Sequence, residues 1–262
     1  MKRIIRKAFK YKLNETLKQA QLMLEFAGAN RFVWNKFLRA NLDRLENKYP
    51  LLWYDEMDFW VKAFKHSENY GFLSHAPSQT FQQKLKDLQR AFKDAFDTSQ
   101  PLKRIPVFKK KGDGDSFRYP QGIKLNQKNN QIFLPKIGWV KYRNSREIEG
   151  TVKNVTVSQQ SGKWFISVQV EMEITIEPHP SESSVGIDMG VARFATFSDG
   201  EFLKPLNSFK TLEKKLQRRQ RQLSKKVKFS QNWRKQKLKI SKIHTKIANC
   251  RRDFLQKEST TI

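Results

Sequence analysis

Val185-Gly186-Ile187-Asp188-Met189-Gly190 sets a single carboxylate in an apolar stretch, which turns at once into a second, Arg193–Ser198, and then a third, Glu201–Leu203. Aspartate is depleted in strands and costs several kcal/mol to bury without a partner. Asp188 is therefore expected to be hydrogen-bonded, to sit at a strand end, or to hold a cation. Gly186 and Gly190 flank it, and a missing Cβ there lets backbone or phosphate come close. Asp199-Gly200 is a hairpin-turn dipeptide, which makes Asp199 a turn residue rather than a metal ligand.

The second feature is charge. Residues 210–257 hold 18 of the 52 lysines and arginines against two acids, Glu213 and Asp253. At this density a folded segment repels itself unless an anion is at hand, so phosphate-backbone contact is favoured over a merely solvated face. The whole chain of 262 residues carries a net charge of +27, far beyond what solubility needs. Nucleic acid is favoured over membrane as the partner, because no apolar run approaches the roughly 20 residues that span a bilayer. The segment Pro106-Val107-Phe108-Lys109-Lys110-Lys111-Gly112-Asp113-Gly114-Asp115-Ser116-Phe117-Arg118-Tyr119-Pro120 joins a basic run to a Gly/Asp turn and aromatic rings. That combination suits a loop on phosphates with rings free to stack, although such a segment taken alone is more often an ordinary hairpin. Cys250 is the single cysteine, so an internal disulfide is excluded, and with four histidines no four-ligand Cys/His zinc site is expected. Met1–Arg6 is basic, but Lys10, Lys12 and Glu15 break the apolar stretch that follows, so no signal peptide is expected and the protein is read as cytoplasmic.

The elements that must position these residues follow from periodicity. Residues 3–13 alternate as a basic strand, with Asn14 placed to cap a long helix that reaches into the 40s through Leu17, Ala20, Leu24, Ala27, Arg31 and Trp34. After Pro77, with Ser78 as cap, Phe81, Leu85, Leu88, Phe92 and Phe96 make an apolar stripe with Lys84, Lys86, Arg90 and Lys93 opposite. Strands are expected at 123–125, 131–134, 139–142, 151–157 and 163–176, the last two joined by a turn at Ser161-Gly162, and together they suggest a small barrel or curled sheet of OB-like character. Glu177–Ser184 has the composition of a linker, and His179 between two prolines reads as a loop histidine. Beyond the strands around Asp188, Leu212, Leu216, Leu223 and Val227 mark one helix. Ser230 caps another, whose buried side is Ile240, Ile243, Ile247, Cys250 and Phe254.

With these residues in hand the chain resembles the TnpB (OrfB) family of insertion-sequence proteins, relatives of type V CRISPR effectors. The resemblance rests on Asn30-Arg31-Phe32-Val33-Trp34-Asn35, Pro77-Ser78-Gln79-Thr80-Phe81-Gln82-Gln83, the Phe108–Pro120 loop, the Val185–Gly200 strand pair and the basic hairpin that ends Ile247-Ala248-Asn249-Cys250-Arg251-Arg252-Asp253-Phe254. It implies an α+β multidomain protein: a first barrel strand (1–13), an inserted helical recognition domain (14–100), an OB-like β-barrel or wedge domain (101–180), and a partial ribonuclease-H-like (RuvC) domain with a basic helical hairpin (181–262). It implies a guide RNA and target DNA as partners, no membrane, and an RNA-guided DNA endonuclease that supports transposition. Asp188 would be the first of three catalytic acids that hold Mg²⁺, whose part is to activate water and stabilise the leaving oxygen. The candidate nucleic-acid contacts are Lys7, Lys10, Lys109, Lys110, Lys111, Phe117, Arg118 and Tyr119, and along the hairpin Lys214, Arg218, Arg221, Lys225, Arg234 and Lys237. In the family the second acid is a Glu on the strand after the hairpin and the third an Asp beyond a zinc ribbon. Ile262 comes before both, so the sequence reads as C-terminally truncated and not catalytic alone, with a second polypeptide one way to complete the domain. A non-catalytic binder such as a guided repressor, or a ribosome- or tRNA-binding basic protein, are the alternatives.

Overall fold

The computed structural model describes residues 2–112, 114–175 and 184–261. The chain divides into two units, Met1–Ile176 and Glu177–Ile262. His179 and most of the stretch read as a linker lie outside the described residues.

In the first unit β1 (Lys2–Asn14) turns Phe9, Tyr11 and Leu13 into the core, as the alternation of a strand requires. The helix that follows, α1 (Leu17–Glu46), opens on Thr16 rather than Asn14. Thr16 Oγ1 accepts the Gln19 N–H at 3.3 Å and Gln19 Oε1 accepts the Thr16 N–H at 3.1 Å, a reciprocal cap that satisfies two otherwise orphaned donors. Asn14 is still strand. The buried face of α1 runs through Met23, Phe26, Ala27, Val33, Phe37 and Leu38, while Leu17 and Leu24 are exposed. Helix α2 (Tyr54–Lys65) and a 3₁₀ helix (Glu68–His75) were not anticipated. In α3 (Ser78–Phe96) it is Pro77 that stands at the cap, and the Ser78 hydroxyl is met instead by Lys65 Nζ.

The strands β2 (Ser116–Tyr119), β3 (Lys124–Asn126), β4 (Gln131–Leu134), β5 (Gly138–Tyr142), β6 (Thr151–Gln160) and β7 (Lys163–Thr175) join β1 in one seven-stranded sheet of order β2-β6-β7-β1-β5-β4-β3. Every ladder is antiparallel. β1 holds the two halves together, pairing with β7 from Lys2 to Lys12 and with β5 at Leu13 and Asn14. Ser161 and Gly162 both have positive φ, 52° and 77°, as a two-residue hairpin turn between β6 and β7 demands. The sheet is open, with β2 and β3 as its edges, so the expected barrel is not closed among the described residues. Helices and sheet share one core: Phe26 meets Phe117 edge-on at 5.9 Å, and Asn30 of α1 donates to Thr80 Oγ1 of α3 at 3.0 Å.

The second unit carries the short strands β8 (Ile187–Met189), β9 (Ala195–Phe197) and β10 (Phe202–Leu203) in an antiparallel sheet of order β10-β9-β8, and the helices α4 (Ser208–Ser224) and α5 (Gln231–Thr261). Asp199 is the turn residue expected: its Oδ1 accepts the Glu201 N–H at 3.0 Å. Leu216 packs against Ile243 and Ile247, with Leu212 and Ile240 alongside. Ser230 caps α5 by accepting the Trp233 N–H at 3.2 Å. Val227 lies beyond the end of α4 and is exposed, so the apolar stripe of that helix stops at Leu223. The described elements are therefore mixed α and β, without a closed barrel.

Candidate nucleic-acid interface

One face of α1 seats the basic loop. Trp34 Nε1 donates to the Val107 carbonyl at 3.1 Å. Asn35 brackets Lys109, its Nδ2 donating to the Lys109 carbonyl at 2.9 Å and its Oδ1 accepting the Lys109 N–H at 2.8 Å. Arg31 pairs with Asp115, and the other oxygen of that carboxylate accepts the Gly112 N–H at 2.9 Å. Residues 31, 34 and 35 are neighbours on a helix surface. The Asn30–Asn35 segment is thus a dock for the loop, while Asn30 itself ties α1 to α3.

Of the three loop lysines, Lys110 and Lys111 are exposed and Lys109 is turned over the Trp34 ring, 3.8 Å from its centroid. Phe117 and Tyr119 do not offer the rings expected of them. Both lie on the core side of β2 with no more than 1% of their surface exposed, and the Tyr119 hydroxyl donates to the Pro135 carbonyl at 3.0 Å. Period-two alternation puts both aromatics on the same, buried face, where Phe117 meets Phe26 of α1, so neither is available to stack on a base. Burial also pushes the Tyr119 phenol far above its ordinary range. Arg118 alternates to the other side and reaches Asp87 of α3 at 2.7 Å. Lys7 and Lys10, three residues apart on a strand, point to opposite faces. Lys10 lies over the Phe165 ring at 4.9 Å and Lys7 beside Phe9 at 5.3 Å, so they are not brought together.

Lys84 is the residue that pattern reading misplaced. Set on the solvated side of α3 by its type, it is 7% exposed. Its position, three residues after Phe81 and four before Leu88, falls inside the apolar stripe, and that spacing was the available signal. Desolvation first and the nearby Lys109 second, with Asp87 opposing both, lower its ammonium to a pKa of about 8. Lys109 is lowered too, chiefly by its own burial.

In the second unit Lys214, Arg218, Arg221 and Lys225 are all exposed. At about 100° per residue their steps of four, three and four keep them in one stripe, and Lys214 and Arg218 stand about 200° round α4 from the core residues Leu212 and Leu216. On α5, Arg234 and Lys237 are exposed as well, Lys237 resting 5.4 Å from the Trp233 ring centroid. A second stripe went unnoticed in the sequence: Lys235, Lys239, Lys242 and Lys246 are exposed at the same steps, each one residue before Gln236, Ile240, Ile243 and Ile247 of the buried side. Among the described residues the hairpin holds one ion pair, Lys257 with Asp253 at 2.9 Å. Cation stripes on two faces stand without carboxylates to pair them, an arrangement that can take up phosphates at helical intervals.

Asp188 is in β8 but not buried. It stands exposed on an edge strand, opposite Thr196 in register. A carboxylate in water needs no partner, so the expectation of a buried acid with a compensating group falls away. The Gly190 position is crowded by its own turn, since a Cβ there would lie 3.0 Å from the Arg193 carbonyl oxygen. Among the described residues no three His, Cys, Asp or Glu side chains gather where they could hold a metal ion. These residues do not assemble the three-acid magnesium set that the resemblance implies. No described helix is long and apolar enough to cross a membrane.

Comparison with known proteins agrees with these elements. Residues 166–262 match the OrfB family of IS605-type elements described as "Probable transposase", and residues 1–48 match its companion described as "Helix-turn-helix domain". In this structure residues 2–48 form one strand and one long helix. The chain is 51% identical over its full length to "Putative RNA-guided DNA endonuclease InsQ" of Escherichia coli K12, covering 64% of that protein. It is 31% identical over 98% of its length to a "Putative RNA-guided DNA endonuclease" of Streptomyces pristinaespiralis, again covering 64% of it. A Mycobacterium tuberculosis protein of the same description is 24% identical over 97% of the chain. The chain thus spans just under two thirds of the length of these relatives. From its two matched regions and the identity that runs the whole length, the chain belongs to the OrfB (TnpB) family of insertion-sequence proteins.

Proposed function

We propose that this chain binds nucleic acid by its phosphate backbone, taking a guide RNA and the DNA that the RNA selects, as part of an insertion-sequence RNA-guided DNA endonuclease. The observation that carries the reading is the exposed stripe Lys214, Arg218 and Arg221 on the face of α4 opposite its core, continued by Lys225 at the C-cap and backed by Lys235, Lys239, Lys242 and Lys246 on α5. The activity for which its relatives are named supports the choice of partners. We read β8–β10 as strands of a ribonuclease-H-like sheet and Asp188 as its first acid, while the three-acid set and the Mg²⁺ it would hold need carboxylates from outside the described residues. The exposed, solitary Asp188 favours a second reading for these residues alone, binding without cleavage.

The test is affinity for single-stranded RNA across a salt series, wild type against a variant with Lys214, Arg218, Arg221 and Lys225 all changed to Gln. Each single-strand phosphate contact adds about 0.7 to the logarithmic salt slope, so the four changes should lower it by about 3. A wild-type affinity flat in salt, or an unchanged slope in the variant, would overturn the reading.

A further inference from the structure

Lys84 is a buried cation without a counter-ion among the described residues. Among the described residues no hydrogen bond joins its ammonium to a carboxylate or carbonyl, and after burial itself the charge that acts on it most is the Lys109 ammonium. Four cations converge where α3, β2 and the basic loop come together: Lys84, Lys109, Arg31 and Arg118. Among the described residues two carboxylates stand among them, and both are engaged, Asp115 by Arg31 and Asp87 by Arg118. Two positive charges are left over, and Nε of Arg118, buried, has no acceptor. Between Lys84, Arg118, Ser116 and Thr156 lies a cavity of about 130 Å³, and it reaches the surface, since the Arg118 and Asp87 side chains that line it are 34% and 40% exposed. Pockets for drug-sized ligands run to about 300–1,000 Å³, so this one is too small for a base or nucleoside but open to one small anionic group.

A buried cation persists where it is paired or where a ligand pairs it. We propose that this cluster is a seat for a single backbone phosphate of bound nucleic acid, with Lys84 and the Arg118 guanidinium as its donors. Lys109, whose backbone Asn35 fixes, holds the seat positive. The seat is separate from the hairpin stripes, and its assignment rests on the reading that the chain binds nucleic acid.

The experiment compares Lys84→Gln with Lys86→Gln, a change of equal charge at an exposed neighbour on the same helix. Affinity is read for single-stranded RNA and for duplex DNA across a salt series, with inorganic phosphate titrated separately against thermal unfolding. A charge-assisted hydrogen bond is lost in Lys84→Gln, so its affinity for at least one polymer should fall about tenfold, with a salt slope lower by about 0.7 to 0.9, while Lys86→Gln changes affinity by less than about threefold. Which polymer responds identifies the source of the phosphate. Equal effects of the two variants on both polymers, with wild-type binding intact, overturn the seat and leave the stripes standing. Phosphate that stabilises wild type but not Lys84→Gln, with polymer affinities unmoved, makes it a site for free anion and overturns the proposal equally. Failure of wild type to bind any polymer overturns the broader reading instead. Both variants are checked for unchanged circular dichroism, and Lys84→Arg, which keeps the charge, should recover most of the affinity.

Discussion

Replacing Lys84 by Met should stabilise the free protein, and by an amount that depends on pH. The folded chain lowers this ammonium from 10.5 to about 8, the cost of taking it out of water beside Lys109 and Arg118 with Asp87 only partly offsetting it. At 1.36 kcal/mol per pH unit, that cost is on the order of 3 kcal/mol for the charged form. Below about pH 8 both folded and unfolded chains hold the proton and the whole cost is present. Between about 8 and 10.5 the unfolded chain binds a proton that the folded chain has released, so wild-type stability from this group rises with pH, and above 10.5 the cost is gone. Met keeps the length and apolar stem without the charge. Lys84→Met should therefore exceed wild type by up to about 3 kcal/mol at pH 7 and converge on it by about pH 10.5. Urea unfolding followed by tryptophan fluorescence reports mainly the first unit, which holds five of the six tryptophans, Trp233 being the exception. The midpoint should move and the slope m should not. A variant less stable than wild type at pH 7, or a gain that persists undiminished to pH 10.5, would refute the argument that Lys84 is a desolvated, uncompensated charge.

Gly150 has φ of +90°, and a Cβ there would lie 2.7 Å from the Glu171 carbonyl oxygen in β7, so Gly150→Ala must both strain the backbone and push the β6 entry off its partner. A loss of more than about 1 kcal/mol is expected in the same urea assay, and a neutral result would mean the turn can be re-formed elsewhere. Hydrogen exchange should separate the two sheets: Val168 and Val170 lie on β7 between β1 and β6, whereas Ile187 lies on an edge strand with Val185, Ile187 and Met189 all exposed. The Ile187 and Phe194 amides should exchange at least about a hundredfold faster than those of Val168 and Val170, and equal protection would contradict the view of β8 as a weakly held edge.

The sheet was legible because its signals are local. The alternation of Phe9, Tyr11 and Leu13, the hairpin at Ser161-Gly162 and the turn at Asp199-Gly200 each declare themselves within a few residues, and the expected strands formed with ends within about three residues, while β2 formed in a segment read as a loop. Helix α2 and the 3₁₀ turn did not, because their apolar side chains are aromatics that meet one another in a cluster, Phe64 with Tyr70 at 5.0 Å and Phe32 with Tyr70 at 5.4 Å, rather than a clean stripe. Cap positions were missed by one or two residues at α1 and α3. There the deciding facts were a reciprocal hydrogen bond from Gln19 and a proline at the cap, which compete with the simpler preference for Asn or Ser.

For the site, residue type proved a poorer guide than position. Phe117 and Tyr119 look like stacking rings beside a basic run, yet β2 is short and its period places both aromatics on the face that must be covered. Lys84 looks like part of a solvated face, yet its spacing from Phe81 and Leu88 commits it to the interior, and a chain that spends a lysine there bears a cost that Leu or Met would avoid. Asp188 looks like a buried acid in apolar company, yet three short strands with β8 at the edge cannot enclose it. The exposed cations of α4 and α5 were the part a sequence could give, since helical phase alone fixes which residues share a stripe. What one-dimensional periodicity could not give is which charges lack a partner, because Asp87 and Asp115 are spoken for by arginines 31 and 84 residues away in the chain. Only the folded chain distinguishes a lysine that water can satisfy from one that waits for an anion, and it is the second kind whose removal should raise stability and lower affinity together.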